Sequence, residues 1–330
     1  MDGAESNTLS KSSTLADAIA LHVRDGDSVC MGVCLEQMIP FAAGHEIIRQ
    51  KMRDLRLIGP ISDILFDQII AAGCVKDVVA AWVGNVMMGS AYGFRRAFES
   101  SPWATYEGNP GDANKREGFR VFNMTNFTVS LALQAGAMGV PFLPTRSVHG
   151  SDVPKNNHFY YQIMSPFANE DGEREMVMAV RAIQPDVTIV QVQRSDEDGN
   201  AHCWGNLGIL SEAVRAAKKV IVCTEQIVPR EVIRSDPNRT VIPGFLVTAV
   251  CEVPWGGHPS PVQGHYSRDN EYFREYHQQT KDETAYAAWA EKWVYGVNDR
   301  AEYMRVLGEQ RAQELKVKKH AYAAEADFGY

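Results

Sequence analysis

Signatures of several common chemistries are missing from this sequence, and each absence removes a class of function. No G-x-G-x-x-G follows the first apolar run, and no G-x-x-x-x-G-K occurs anywhere, which excludes the phosphate-cradling turns of nicotinamide dehydrogenases and P-loop enzymes. The nine histidines are scattered, and His149 and His158 lack a ligand-like spacing, so no metal is expected. Positive charge is in deficit: 33 Lys and Arg stand against 41 Asp and Glu, giving a formal charge of -8 and a pI near 5.6. Such a chain repels polyanions at long range, so no nucleic acid partner is expected. No stretch approaches the roughly 20 apolar residues that span a bilayer, and no membrane partner is expected. The opening MDGAESNTLSKSS is polar and has no secretory-type apolar run. The six cysteines, Cys30, Cys34, Cys74, Cys203, Cys223 and Cys251, form no CxxC pair. They lie in apolar segments and read as reduced, buried thiols of a cytoplasmic protein. Short-period repeats and low-complexity blocks are also absent.

What is present is an alternation. With 330 residues and 45% hydrophobic content, the chain can bury a full core. Thr14 and Asp17 make a helix-start pattern, and Leu15, Ala18, Ile19, His22 and Val23 recur at helical spacing until Asp25-Gly26. The pattern then predicts strands over 28–32, 55–58, 77–83 and 119–122, with helices over 41–51, 64–72 and 128–138. Segments 103–118 and 151–174 read as irregular, the second long enough to be functional or an interface element. Strand-like runs follow at 176–180, 187–192, 219–223 and 245–251, with a helix near 211–217 and helical composition from Asn270 onward. Short buried strands separated by single helices imply an α/β fold. The expected architecture is a doubly wound, mainly parallel open sheet with flanking helices and a helical C-terminal segment. The expected division is a disordered 1–13, one domain over 14–311, and a solvated tail over 312–330.

One turn carries more than the rest. Residues 25–40, DGDSVCMGVCLEQMIP, end a strand in glycine and turn toward a proline-started helix. Asp25, Gly26, the apolar Val29, Cys30 and Met31, then Gly32 and Pro40, fall in register with the N-terminal signature of family I coenzyme A transferases, which this segment resembles. Val33, Cys34 and Met38 stand where that pattern has Gly, Phe and Gly. Four further segments resemble the alpha-type subunit of glutaconate-like coenzyme A transferases, in order along the chain. They are NMTNFTVSLALQAGAMGVPFLP over 123–144, Asp198-Gly199-Asn200 with Trp204-Gly205, the run VCTEQIV over 222–228, and PWGGHPS over 254–260 followed by Tyr266.

The resemblance implies a reaction and a division of labour. Coenzyme A passes from an acyl thioester to a free carboxylic acid by a ping-pong path through a glutamyl thioester. In two-chain members that glutamate belongs to the beta-type subunit, so the expected partner is such a subunit in a heterodimer, α2β2 or larger assembly. Acyl-coenzyme A is a substrate, and no permanently bound cofactor is expected. Related transferases place a Gln amide donor just before the helix at the position of Asn126, aimed at the thioester carbonyl. Asn126 is therefore the catalytic candidate, as an oxyanion donor, with helix capping as the alternative reading. Gly32, Val33 and Cys34 are expected to form an amide-exposing turn against the acyl group, or simply a strand end. Asn85 and Arg95, with Arg96, follow a strand where open sheets bind ligands, Arg suiting a free carboxylate or a surface ion pair. His258 either faces the substrate or fixes its loop. Glu36 reads as a solvated turn residue, Glu225 as a buried acceptor of backbone amides, and Glu252 carries no motif. The rival on the same scaffold is a ring-opening acyl-coenzyme A hydrolase, whose alpha-type chain carries a glutamate near position 126; Asn126 cannot take or deliver a proton there. A non-catalytic sensor of acyl thioesters is the third reading.

Overall fold

The β-branched runs that alternate with helices build one sheet in a computed structural model, which describes residues 10–100 and 118–317. In chain order the first half comprises α1 (Leu15–His22), β1 (Ser28–Cys30), α2 (Phe41–Arg49), β2 (Leu55–Ile61), α3 (Asp63–Ala71), β3 (Val75–Trp82), α4 (Tyr92–Ser100), β4 (Arg120–Asn123) and α5 (Asn126–Met138). Then come β5 (Phe142–Thr145), β6 (Tyr160–Ala168), β7 (Arg174–Arg181), β8 (Val187–Val192), β9 (Arg194–Ser195), β10 (Ala201–His202), α6 (Leu210–Ala216), β11 (Lys219–Thr224), α7 (Arg230–Arg234), β12 (Thr240–Ile242) and β13 (Ala249–Glu252). The chain closes with α8 (Asn270–Gln279), α9 (Glu283–Ala290), α10 (Arg300–Leu307) and α11 (Glu309–Leu315).

Seven strands pair in the order β13-β11-β8-β1-β2-β3-β4, every neighbouring pair parallel. The doubly wound parallel sheet expected from the alternation is what forms. Period-two side-chain alternation splits its core between two layers. Val29, Leu57, Val78, Ile189 and Ile221 face α2, α3 and the C-terminal helices, while Cys30, Ile58, Val79, Val190 and Val222 face α5 and α6. From β1 the chain winds outward through β2, β3 and β4, then returns to add β8, β11 and β13 on the other flank. The order therefore reverses between β1 and β8, where open sheets hold a crevice beyond the strand ends. Two small antiparallel sheets, β5-β7-β6 and β12-β10-β9, lie outside this layer.

Several expectations need correction. Segment 151–174 is irregular only in part: 151–159 are turns, but 160–168 and the start of β7 form a hairpin, concealed in the sequence by Pro166 and by apolar residues at successive rather than alternating positions. Helix α4 is an element the sequence pattern does not mark, and the run at 245–251 opens as a short 3-10 turn, so its strand starts only at Ala249. Residues 10–13, expected to be disordered, dock on the sheet edge through Ser13 N donating to the Val250 carbonyl at 2.8 Å and Lys11 N to that of Glu197 at 3.2 Å. The tail expected from 312 begins inside α11, and Lys316 bridges to Tyr266 beyond it. The remaining expectations for 1–9, 103–117 and 318–330 fall outside the described residues. No helix among the described residues is long and apolar enough to cross a membrane.

Candidate active site

The turn after β1 follows from Gly32, which adopts φ +67°. A Cβ there would lie 2.8 Å from the Ile61 carbonyl and closer still to Ser62 Oγ, so only glycine lets β1 leave the sheet beside β2. Beyond it the turn is closed by its own chain. Ile209 N donates to the Val33 carbonyl at 2.9 Å, and Gly208 packs so tightly that its Cβ would meet the Val33 carbonyl and, at 3.1 Å, Cys34 Cα. Val33 and Cys34, expected around an acyl group, instead enter the hydrophobic cluster with Met38, Ile209 and Leu210. Burial pushes the Cys34 thiol up to about 12, which removes it as a nucleophile. Ser260 anchors the far side, with its Oγ donating to the Glu36 carbonyl at 2.8 Å and Met38 N donating to the Pro261 carbonyl at 3.0 Å. The crevice at the strand-order reversal is thus filled by residues 203–210 and 260–261.

The carboxylates along this edge are engaged. Glu36 Oε2 pairs with Arg268 Nη1 at 3.1 Å, a contact beneath the turn rather than a solvated position. Glu225 is buried and accepts from Tyr266 OH at 2.6 Å, Gln191 Nε2 at 2.8 Å and Trp255 N at 2.6 Å. One donor is a backbone amide and two are side chains, and desolvation lifts the carboxyl to about 7 against them. Asp63, just past β2, accepts from Ile64 N and Val86 N through Oδ1, while Oδ2 is buried without a hydrogen bond. Burial raises it to about 7 as well, with Arg268 opposing. Glu252 Oε1 receives Ile227 N at 2.9 Å.

Two expected substrate contacts, Asn85 and His258, are spent on the scaffold, and a third, Arg95, lies on the surface. Asn85 donates through Nδ2 to the Phe273 carbonyl at 2.8 Å and accepts from Met87 N and Met88 N through Oδ1. Its carboxamide pins the loop after β3 to α8. Arg95 faces solvent and pairs with Glu99 at 3.6 Å one helical turn on, as its surface reading allowed. Arg96 caps the end of α8 through the Thr280 and Lys281 carbonyls. His258 is buried with Nδ1 2.8 Å from Tyr303 OH and Nε2 2.9 Å from Asp269 Oδ2, so neither ring nitrogen is left for a substrate. Burial pulls its imidazole down to about 4, opposed by Asp269. A cavity of about 630 Å³ beside β13 includes Arg49 and Arg300 in its wall, but both guanidiniums already bind carbonyls, of Val294 and Val297 and of Trp255 and His258.

Asn126 is different. It is the first residue of α5, exposed, and its carboxamide bonds to no described residue. The cap is Thr125 instead: its Oγ1 accepts from Thr128 N at 3.1 Å, while Thr125 N donates to Thr128 Oγ1 at 2.9 Å. Sequence reasoning missed this reciprocal pair, although Thr125 and Thr128 have capping-box spacing. Beside that turn, past the end of β4, a cavity of about 420 Å³ is walled by Val121, Asn123, Asp152, Lys155 and Asn157. Asn157 Nδ2 donates to the Asn123 carbonyl at 2.7 Å, and Lys155 pairs with Asp152 at 2.6 Å, so the loop there is braced by its own polar groups. The Asn126 amide thus stands exposed at a helix N-terminus, where the helix dipole is positive.

A family model described as coenzyme A transferase matches residues 12–253. The chain belongs to the coenzyme A transferase family. Its likeness is to alpha-type members. The A-type subunit of 3-oxoadipate CoA-transferase from Pseudomonas knackmussii is 34% identical over 296 residues, 90% of this chain and 98% of that one. The A-type subunit of glutaconate CoA-transferase from Acidaminococcus fermentans is 32% identical over 326 residues, 94% and 95% of the two chains. A crystal structure of glutaconate coenzyme A-transferase from that organism superposes with a TM-score of 0.81 at 31% identity, covering 96% of this chain and 98% of that one. The cholesterol ring-cleaving hydrolase IpdA subunit of Rhodococcus jostii shares 27% identity over 293 residues, 87% and 92% of the chains.

Proposed function

We propose that this alpha-type chain forms half of a heteromeric coenzyme A transferase, with covalent attack supplied by a glutamate of a beta-type companion. The observation that carries this reading is the contrast between Asn126 and the acids beside the turns: its amide is unspent and exposed, while Glu36, Glu225 and Glu252 hold structural partners and Asp63 lies buried. Attack on a thioester needs an ionised, accessible carboxylate. Glu225 and Asp63 are shifted toward the neutral acid and shielded. The companion's glutamate attacks the acyl carbon and expels coenzyme A as thiolate, giving a mixed anhydride. The thiolate then forms the glutamyl thioester and releases the first acid, and the acceptor acid reverses both steps. In each tetrahedral state Asn126 Nδ2 donates to the oxyanion, a contribution of roughly 10²- to 10³-fold in comparable sites. Two relatives are named for dicarboxylic acids, so glutaconate and 3-oxoadipate head the list of acceptors to try.

The test is acyl exchange by the purified chain with and without the beta-type chain of the same organism. Exchange is expected only from the pair, and exchange by the lone chain would contradict the division of labour. The IpdA relationship keeps a hydrolytic reading in view. Free acid and free coenzyme A released from one thioester without an acceptor acid, read by mass spectrometry, would establish it instead. Thioester binding with no turnover by the pair would point to a sensor.

A further inference from the structure

Antiparallel sheets with one solvated face alternate apolar inward and polar outward. The β5-β7-β6 sheet breaks this rule. Its cross-strand register puts Leu143, Val180, Tyr160 and Met178 on one face, the last three packed in the cluster that holds α5. The opposite face carries Phe142 beside exposed Arg181, then Pro144, Tyr161 and Ile163, while Val177 and Ala179 of the central strand are already buried beneath their neighbours. Arg146 pairs with Glu175 at its border. Farther out, Met164 stands opposite Met176 on the inward face, and beyond that pair the hairpin becomes charged through Glu173, Arg174 and Glu175, with Phe167 the apolar side chain that projects from it. Phe167 is 79% exposed, and Phe142, Tyr161, Met164 and Met176 are between 41% and 53% exposed. A large aromatic or aliphatic side chain offers roughly 200 Å². Divided between the two faces of the sheet, these five present about 500 Å² of exposed side-chain surface, so a partner that wraps the hairpin covers most of the ~800 Å² each side contributes to a standard interface.

We propose that this sheet, with its projecting β6–β7 hairpin, is the docking surface for the beta-type companion, a proposal that rests on the reading of the chain as an alpha-type half. Continuity with the site selects that occupant. Tyr160 OH lies 2.7 Å from Thr128 Oγ1, which roots the hairpin in the turn of α5 that presents Asn126. A partner laid over the sheet is carried to the open carboxamide, where its glutamate is needed. A second copy of this chain fits less well, because each copy brings a formal charge of -8 and no attacking carboxylate. Strand addition along β6 is disfavoured by Pro166, which lacks a donor, and by the irregular register after Met164. The partner therefore packs on side chains rather than extending the sheet.

The experiment coexpresses the chain with the beta-type chain of the same organism and compares wild type with Phe167→Asp combined with Met164→Asp. Pairing is expected to weaken by about 100-fold, the size of a lost interface hot spot, while the melting temperature of the lone chain stays unchanged. Leu21→Asp, on exposed α1 in the opposite helical layer, should leave pairing intact. If the paired aspartates unfold the hairpin, Phe167→Ser alone supplies the same comparison. Undiminished pairing of the double variant overturns the proposal, as does a lone-chain dimer that the variant abolishes while pairing survives. Assembly through this face without acyl exchange would defeat the functional reading and leave the surface standing. Full exchange by the double variant would do the reverse.

Discussion

At the centre of the parallel sheet, between β1 and β8, the C-terminal edge is filled by the chain itself, whereas at the outer end, past β4, the same edge is open. The centre holds Gly32 against Ser62, Gly208 against Val33, and Glu225 beneath three donors. The outer end holds Asn126 with an unspent amide and a neighbouring sheet whose outward face is apolar. Both regions lie on one scaffold, yet only the first is closed by the chain's own residues. Substitutions at the centre should therefore cost stability, and substitutions at the outer end should cost turnover or assembly.

The largest effect is expected where the centre is tightest. Gly32→Val forces a β-branched residue into positive φ and drives its Cβ into the Ile61 carbonyl and Ser62, at a cost of about 3 kcal/mol or more. Urea unfolding measures it, and a variant with undiminished midpoint would show that the centre is not closed. Next comes the pH dependence carried by Glu225. Its folded carboxyl titrates near 7 against an ordinary value of 4.5, so the folded state holds the proton more tightly. Stability is greatest below pH 4.5 for this group and falls as pH rises toward 7, by up to about 3 kcal/mol. Glu225→Gln should flatten that fall, since the buried, unpartnered Gln191 Oε1 can turn to accept from the new amide. His258, titrating near 4 when folded, pulls the other way below its ordinary 6.5 but is common to both proteins and cancels in the comparison. Unchanged pH profiles in urea midpoints would remove Glu225 from the closed centre.

The parallel sheet was legible because buried strands write themselves as short β-branched runs between helical periods; 187–192 and 219–223 lie on β8 and β11 almost to the residue. The hairpin was not legible, because apolar residues stand at successive rather than alternating positions of β6 and Pro166 interrupts it. Site residues divided the same way. Asn126 was singled out because its position resembles that of a known amide donor, and the fold leaves its carboxamide exposed. Asn85 and His258 looked equally polar in sequence, and only the fold shows their atoms consumed by Phe273, Tyr303 and Asp269. Arg268, which holds Glu36 from 232 positions away, left no local signal at all.

A smaller effect, this time on rate, is expected at the open end. Asn126→Ala should lower acyl exchange by the assembled pair tenfold or more while leaving urea midpoints unchanged, because its amide donates to nothing within the described fold. Asn126→Gln, one methylene longer, tests reach and should recover part of the rate. A stability loss with normal exchange would place Asn126 among the scaffold residues and erase the contrast with the centre.

The smallest effect sharpens the boundary between the two regions within a single helical turn. Thr125 and Asn126 are adjacent, and the sequence left open whether the asparagine both capped and catalysed. Thr125→Ala removes the acceptor for Thr128 N while Thr125 N can still reach Thr128 Oγ1, so about 1 kcal/mol should be lost. Exchange should fall less than for Asn126→Ala, since the carboxamide itself remains and α5 is still held through Thr128 Oγ1 and Tyr160. Thr125→Ser, which keeps the hydroxyl, should restore the urea midpoint. If Thr125→Ala instead lost as much turnover as Asn126→Ala with no change in stability, the two roles would not be separable along this turn, and the open end would begin one residue earlier.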